Sequence, residues 1–232
     1  RFPEQPQESL HFDGVQSVTF SPCGRFTADA DRSGHVRVSA RTPRANDPSS
    51  QGLPWGDLDS SQVTWPAHRG RVWSMSFSPD GNRLATAGAD GLVRIWTTNT
   101  PVSGEPIKLA EKTSCCVILP GNRTLLLSGD QMLLQGDRAT EPRQVCGDRI
   151  LVTAGHHFAR AAVAHNAGLV AVASSGGQIH ILDTAGPTLQ ASWSDPQGRF
   201  VESLQITPDG TVLFAVLGGD LVAFSLPEFE PL

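Results

Sequence analysis

The chain has 232 residues, 39% of them hydrophobic, enough to bury a substantial core in one all-β domain or two small ones. Its 18 Lys and Arg against 23 Asp and Glu give a net charge of -5, which argues against the broad positive field of a dedicated nucleic-acid or anionic-membrane binder. No apolar run approaches the length of a membrane helix, the N-terminal "RFPEQPQESL" lacks a signal peptide's apolar core, and four cysteines without regular spacing make no disulfide framework or zinc cage.

In chain order, the first element is "VQSVTFSPCG" (15 to 24), an alternating strand entering a Pro-Cys-Gly turn, followed by "SGHVRVS" (33 to 39), a tight turn and another alternating strand. Residues 42 to 60, "TPRANDPSSQGLPWGDLDS", are dense in Pro, Ser, Gly and Asp and read as an exposed insertion, after which "SQVTW" (61 to 65) resumes as an outer strand. The opening pattern returns as "VWSMSFSPDG" (72 to 81) and "DGLVRIW" (90 to 96), then weakens to hydrophobic strands around "LPGN", whose proline is Pro120. "AHNAG" (164 to 168) and "GGQIHIL" (176 to 182) carry it further, and "VESLQITPDG" (201 to 210) with "GDLVAFS" (219 to 225) close the series. Asp90-Gly91 and Gly176-Gly177 are pairs that two-residue hairpins favour, because both accept positive φ.

Pro79 and Pro208 stand 129 residues apart, three units of 43, and the two weaker copies fall between them. That period, with several short strands per unit, is the signature of a β-propeller with one four-stranded blade per repeat. The expected fold is all-β: a single β-propeller domain over residues 1–232, of four-stranded antiparallel blades. Five blades are recognisable, at about 11–41, 60–98, 108–138, 150–184 and 193–226, with the exposed insertion at 42–60.

Residues 60 to 98 resemble a member of the WD-repeat family through "WPAHRGRVWSMSFSPDGNRLATAGADGLVRIWTT". His68 stands near its start, the Ser-Pro-Asp-Gly turn follows, and 27 residues separate His68 from the closing Trp96. In that family such positions form a structural hydrogen-bond chain, which the resemblance places on His68, Thr86, Asp90 and Trp96. A catalytic reading of the same residues lacks an exposed nucleophile and an oxyanion site. The resemblance covers residues 6 to 226 unevenly: Thr97 follows Trp96 where the family has Asp, and Leu182-Asp183 keeps the Asp without the Trp. The first unit retains His11 but carries Ser33 and Ser39 where the second has Asp90 and Trp96.

The family resemblance implies about seven blades, so five leave three arrangements: a compact ring closed by "QESLHF" (7 to 12), a fragment of a larger propeller, or an open propeller whose gap another polypeptide fills. The incomplete forms are favoured, because too few blades leave the usual ring geometry unsatisfied.

Loops on the His68 side of such a propeller often form a recognition surface. Projecting the start of each innermost strand gives Gly14 and Gln16, Arg71 and Trp73, Lys112 and Ser114, His157 and Ala159, and Phe200 and Glu202 as partner-binding candidates. Arg71 with Trp73 is the strongest pair, joining planar charge-assisted donors to a large apolar face; the competing reading for each residue is a plain exposed position. Trp55, inside the insertion, reads either as a docking anchor or as packing for its own loop. His156, His157, His165 and His180 map to a loop, that same loop, the opposite turn and a strand, so no metal site is expected. Arg37, Arg41 and Arg44 read as a solvated loop base, and no dedicated nucleic-acid site is expected.

The expected function is a non-catalytic scaffold or adaptor that binds other protein subunits or domains within a larger complex or polypeptide, with no cofactor, in a soluble intracellular setting. The alternative is a sensor or autoinhibitory region of a larger signalling enzyme. A stand-alone propeller hydrolase would need convergent acids, a metal or a nucleophile in the channel, where the projected positions supply only Glu202 as an acid.

Overall fold

The computed structural model describes residues 14–41, 58–98, 106–108, 113–128, 131–135, 143–144, 157–185 and 188–232. They form five four-stranded antiparallel sheets. The first holds β1 (Val15–Phe20), β2 (Phe26–Asp31), β3 (His35–Arg41) and β4 (Leu58–Pro66); the second holds β5 (Val72–Phe77), β6 (Arg83–Gly88), β7 (Leu92–Thr97) and β8 (Ile107–Lys108). The third runs β9 (Thr113–Leu119), β10 (Arg123–Ser128), β11 (Gln131–Gln135) and β12 (Arg143–Gln144). In the fourth are β13 (Phe158–Ala164), β14 (Leu169–Ser174), β15 (Gln178–Asp183) and β16 (Leu189–Ser194); the fifth has β17 (Val201–Ile206), β18 (Val212–Leu217), β19 (Asp220–Ser225) and β20 (Glu230–Pro231).

Sequence unit and sheet are offset by one strand, because β4, which opens the second unit, hydrogen-bonds to β3 of the first sheet. It starts at Leu58, so residues 58–60 of the expected insertion belong to a strand; Trp55, Lys112, His11 and His156 lie outside the described residues. The recurring Pro-x-Gly segment is the turn that ends the innermost strands β1, β5 and β17, with Pro120-Gly121 and the proline-free turn before Gly168 in its place after β9 and β13. In the second sheet, Gly81 N–H donates to the Ser78 carbonyl at 2.8 Å with φ 72°, and the Asp80 carboxylate accepts from Asn82 N–H.

The sheets pack face to face. Second strands are buried on both sides, so they read as continuous apolar runs: Leu125, Leu126 and Leu127 of β10, and Val170, Ala171, Val172 and Ala173 of β14, are all fully buried. Four cores result. Trp65, Phe77 and Trp96 lie between the first two sheets; Ala85, Val93 and Ile118 between the second and third; Val117, Leu125 and Val172 between the third and fourth; Ile181, Leu213 and Phe224 between the last two. An outer-strand Trp recurs at the joints, Trp65 against Trp96 at 5.4 Å and Trp193 against Phe224 at 4.8 Å between ring centroids.

The innermost strands β1, β5, β9, β13 and β17 pack in succession, and no comparable packing among the described residues joins β17 back to β1. The outer faces of the end sheets are correspondingly uncovered: Val18 and Phe20 are 55% and 59% exposed on one, Leu221 71% on the other. The described residues thus form five blades of a propeller without closing a ring among themselves. In the closed five-bladed alternative, residues 7–12 would supply the last outer strand; they lie outside the described residues, and β20 occupies the fourth place of the fifth sheet.

Candidate functional site

All five innermost strands carry a bulge at the same step. Pairing jumps from Val15↔Asp31 to Ser17↔Ala30, from Val72↔Gly88 to Ser74↔Ala87, and from Thr113↔Ser128 to Cys115↔Leu127. It jumps likewise from Phe158↔Ser174 to Arg160↔Ala173 and from Val201↔Leu217 to Ser203↔Val216. The extra residues are Gln16, Trp73, Ser114, Ala159 and Glu202, one from each projected pair. A bulge re-aims a side chain while the flanking ladder keeps the backbone stiff, so the five form an arc around one mouth of the molecule.

Their surroundings differ. Trp73 is 46% exposed, and the Arg71 guanidinium lies over its ring at 5.1 Å from the centroid. Gln16 and Glu202 are exposed, Ser114 donates from Oγ to the Leu127 carbonyl at 3.1 Å, and Ala159 is buried. His157 is exposed beside the rim, with its backbone N–H donating to Ser175 Oγ. A second cation–aromatic pair escaped the sequence reading: Arg160 stands over the Phe200 ring at 5.8 Å and donates from Nε to the Glu202 carbonyl at 2.7 Å, tying the fourth sheet to the fifth. The available signal was an arginine just after the bulge, where the other four units have Ser or Cys (Ser17, Ser74, Cys115, Ser203).

Below the same rim, His68, Thr86, Asp90 and Trp96 join in one chain of hydrogen bonds. Trp96 Nε1–H donates to Thr86 Oγ1 at 2.9 Å, and Thr86 Oγ1 lies 2.7 Å from His68 Nε2. His68 Nδ1 lies 2.8 Å from Asp90 Oδ1, and Arg94 Nη1 donates to Asp90 Oδ2 at 2.8 Å. The ionised Asp90 carboxylate can only accept, so His68 carries its proton on Nδ1; with the imidazole neutral, Nε2 accepts from the Thr86 hydroxyl, whose oxygen in turn accepts the indole N–H. Arg94 Nη1 also lies 2.8 Å from Nδ1, but a protonated Nδ1 cannot accept, so its productive partner is Asp90.

Burial holds the His68 pKa below its ordinary 6.5, against the raising effect of Asp90. Burial acts to raise Asp90, yet the bonds from His68 and Arg94 outweigh it and bring the carboxyl from 3.8 to about 2. Both folded values are depressed, so both contributions are complete above the unfolded values and shrink with acid: from His68 as pH drops below 6.5, from Asp90 as it drops below 3.8 towards 2. The melting temperature is therefore expected to decline from about pH 6.5 downward, and His68→Gln to remove the upper part of that decline. Thermal melts across the range check this; identical pH profiles for wild type and H68Q would refute the assignment to His68.

The innermost strands surround a central cavity of about 610 Å³, lined by Val18, Ser74, Cys116, Ala162 and Gln205 among others and reaching Pro22 and Pro208 at the opposite turns. Cys115 and Cys116 are buried free thiols whose pKa values burial raises; strand alternation sends them into different cores. Among the described residues no three His, Cys, Asp or Glu side chains gather as metal ligands. His165 stands in a turn and His180 in β15, away from His157 at the rim. No helix there is long and apolar enough to cross a membrane.

Comparison with known proteins adds three kinds of likeness. Residues 59–97 match the family model WD40, described as WD domain, G-beta repeat. Actin-interacting protein 1 of Drosophila melanogaster is 33% identical over 90 residues, 39% of this chain and 13% of that protein. Ribosome biogenesis protein erb1 of Aspergillus clavatus is 38% identical over 80 residues, 32% of this chain and 10% of that protein. A guanine nucleotide-binding protein subunit beta of Nicotiana tabacum is 28% identical over 102 residues, 44% of this chain and 25% of that protein. The β-propeller domain of Myceliophteria thermophila Cps50 (Swd1) superposes with a TM-score of 0.69 at 17% identity, over 92% of this chain and 66% of that one. The matched stretches span from 10% to 25% of these curated relatives.

Proposed function

We propose that this chain, whose residues 59–97 match the WD-repeat model and whose sheets share the β-propeller fold, works by binding rather than by catalysis, as an interaction scaffold within a larger complex or polypeptide. The observation that carries this reading is the arc of five bulges at one mouth. Side chains presented from paired strands lose little ordering entropy on association, so several small contacts add to a specific surface. Arg71 and Trp73 form its anchor, since Trp and Arg dominate interface energetics.

Two further features support the placement. The uncovered apolar end faces, with Phe20 and Leu221 exposed, suit a molecule that continues into neighbouring structure. The buried, reduced pair Cys115 and Cys116 suits an intracellular, reducing compartment. Relatives named for actin interaction and ribosome biogenesis favour other protein subunits as partners.

The double variant Arg71→Ala, Trp73→Ala is expected to lower stoichiometric partner retention about tenfold, followed by native mass spectrometry of the gently purified protein, at an unchanged melting temperature. Retention equal to wild type would reject this rim as the binding surface.

A further inference from the structure

The rim is basic on an acidic chain. Arg69, Arg71 and Arg160 are exposed, and among the described residues none of their guanidinium groups forms an ion pair, although the Arg69 backbone N–H donates to Asp90 Oδ2 at 3.4 Å. Of the other arginines at this end, Arg94 pairs with Asp90 and Arg199 with Asp195 and Asp220, while Arg32, in the turn between β2 and β3, is exposed. Leaving cations unpaired in a protein of net charge -5 concentrates local positive potential at one mouth.

Two of these arginines also lie against aromatic rings. The Arg71 guanidinium carbon stands over the Trp73 ring and that of Arg160 over the Phe200 ring, and a planar guanidinium donates from its in-plane N–H edges. Among the described residues no hydrogen bond engages the Arg71 side chain, whereas Arg160 spends Nε and Nη1 on the Glu202 and Ala159 carbonyls. Carboxylates fit such in-plane edges, by two parallel bonds where both are open. Trp73 and Phe200, 46% and 41% exposed, add apolar shelves beside the cations.

We propose that this rim takes an acidic, extended peptide segment of a partner protein, with one carboxylate at Arg71, another at Arg160, and apolar side chains resting on Trp73 and Phe200. This assignment rests on the binding role proposed above and names the chemistry of the partner. Glu202, the exposed acid among the bulge residues, disfavours a carboxylate at its own position and so sets where the acids of the segment fall. The chain's net negative charge disfavours a long polyanion such as a nucleic acid, which would feel the whole field rather than the local one.

The test uses one short fluorescent peptide in Glu-rich, Gln-rich and Lys-rich versions, with a single-stranded oligonucleotide alongside, read by anisotropy. The Glu-rich peptide is expected to bind about tenfold tighter than the Gln-rich one at low salt and to weaken as salt rises. R71A and R160A are each expected to remove most of that preference, while Arg25→Ala at the opposite end leaves it intact; melting curves for each variant exclude unfolding as the cause. Equal binding of the Glu-rich and Gln-rich peptides, no binding of either, a preference that survives R71A and R160A, or tighter binding of the oligonucleotide would each overturn the proposal. If the native partner still depends on Arg71 and Trp73 while no Glu-rich preference is seen, the binding role stands and the acidic class falls.

Discussion

Asp90→Ala is expected to lower the melting temperature by about 10 °C. The carboxylate accepts the His68 Nδ1 proton at 2.8 Å and the Leu92 backbone N–H at 3.2 Å, and it pairs with Arg94 at 2.8 Å. Its side chain is only 10% exposed and that of His68 is 0% exposed, so water cannot take the place of the lost acceptor for the imidazole. Leaving a buried donor unsatisfied costs about 1–3 kcal/mol, and stripping the counter-ion from Arg94 raises the total to about 3 kcal/mol. In a domain of this size each kcal/mol moves the melting temperature by about 2–4 °C. Asp90→Asn keeps an acceptor oxygen without the charge and should recover part of the loss. A fall of less than about 2 °C for the alanine variant, by calorimetry, would mean that the hydrogen-bond chain does not hold this sheet together.

Gly34→Ala should cost about 3 kcal/mol or more, although Gly34 lies in a turn. Its φ is +97°, and a Cβ placed there would sit 2.1 Å from the His68 carbonyl oxygen and 2.6 Å from that of Gly70. Both obstacles are backbone, and the Gly34 carbonyl itself accepts from Ala67 N–H and His68 N–H at 2.9 and 3.0 Å. The loop entering the second sheet is therefore pressed directly onto the turn of the first, and relief requires the two sheets to move apart. Gly91 is the control: it has φ +74° with nothing within 4 Å of the added Cβ, so Gly91→Ala carries only the left-handed penalty of about 1–2 kcal/mol. Denaturant melts of both variants decide the point, and equal losses would show that the close approach at Gly34 is not real.

The distinction between those two glycines marks what a sequence shows. Both follow a polar residue and precede a strand, and nothing in "RSGHV" or "ADGLV" tells a crowded turn from an open one. His68 and Asp90 are 22 positions apart and could be singled out because one repeat retains the whole spacing. The first sheet solves the same turn differently: Asp31 Oδ1 accepts the backbone N–H groups of Ser33, Gly34 and His35, a role that no repeat register announces. The projected rim positions Gln16, Trp73, Ser114, Ala159 and Glu202 come from register alone, whereas their bulging is a property of backbone pairing and carries no residue signature.

The sequence by itself determined the local grammar of the molecule: strands that alternate, turns that need Pro and Gly, and a period near 43 that makes each unit one blade. Those are properties of short stretches, and short-range sterics and hydrophobic patterning write them directly into residue types. Only the tertiary structure decided how the blades meet. It sets Arg160 over Phe200, forty residues away, places the His68 carbonyl against Gly34, and leaves Phe20 of the first sheet and Leu221 of the last exposed. Such contacts join residues from different repeats, and their geometry follows from the rotation of one packed sheet against the next, a quantity that no single repeat contains.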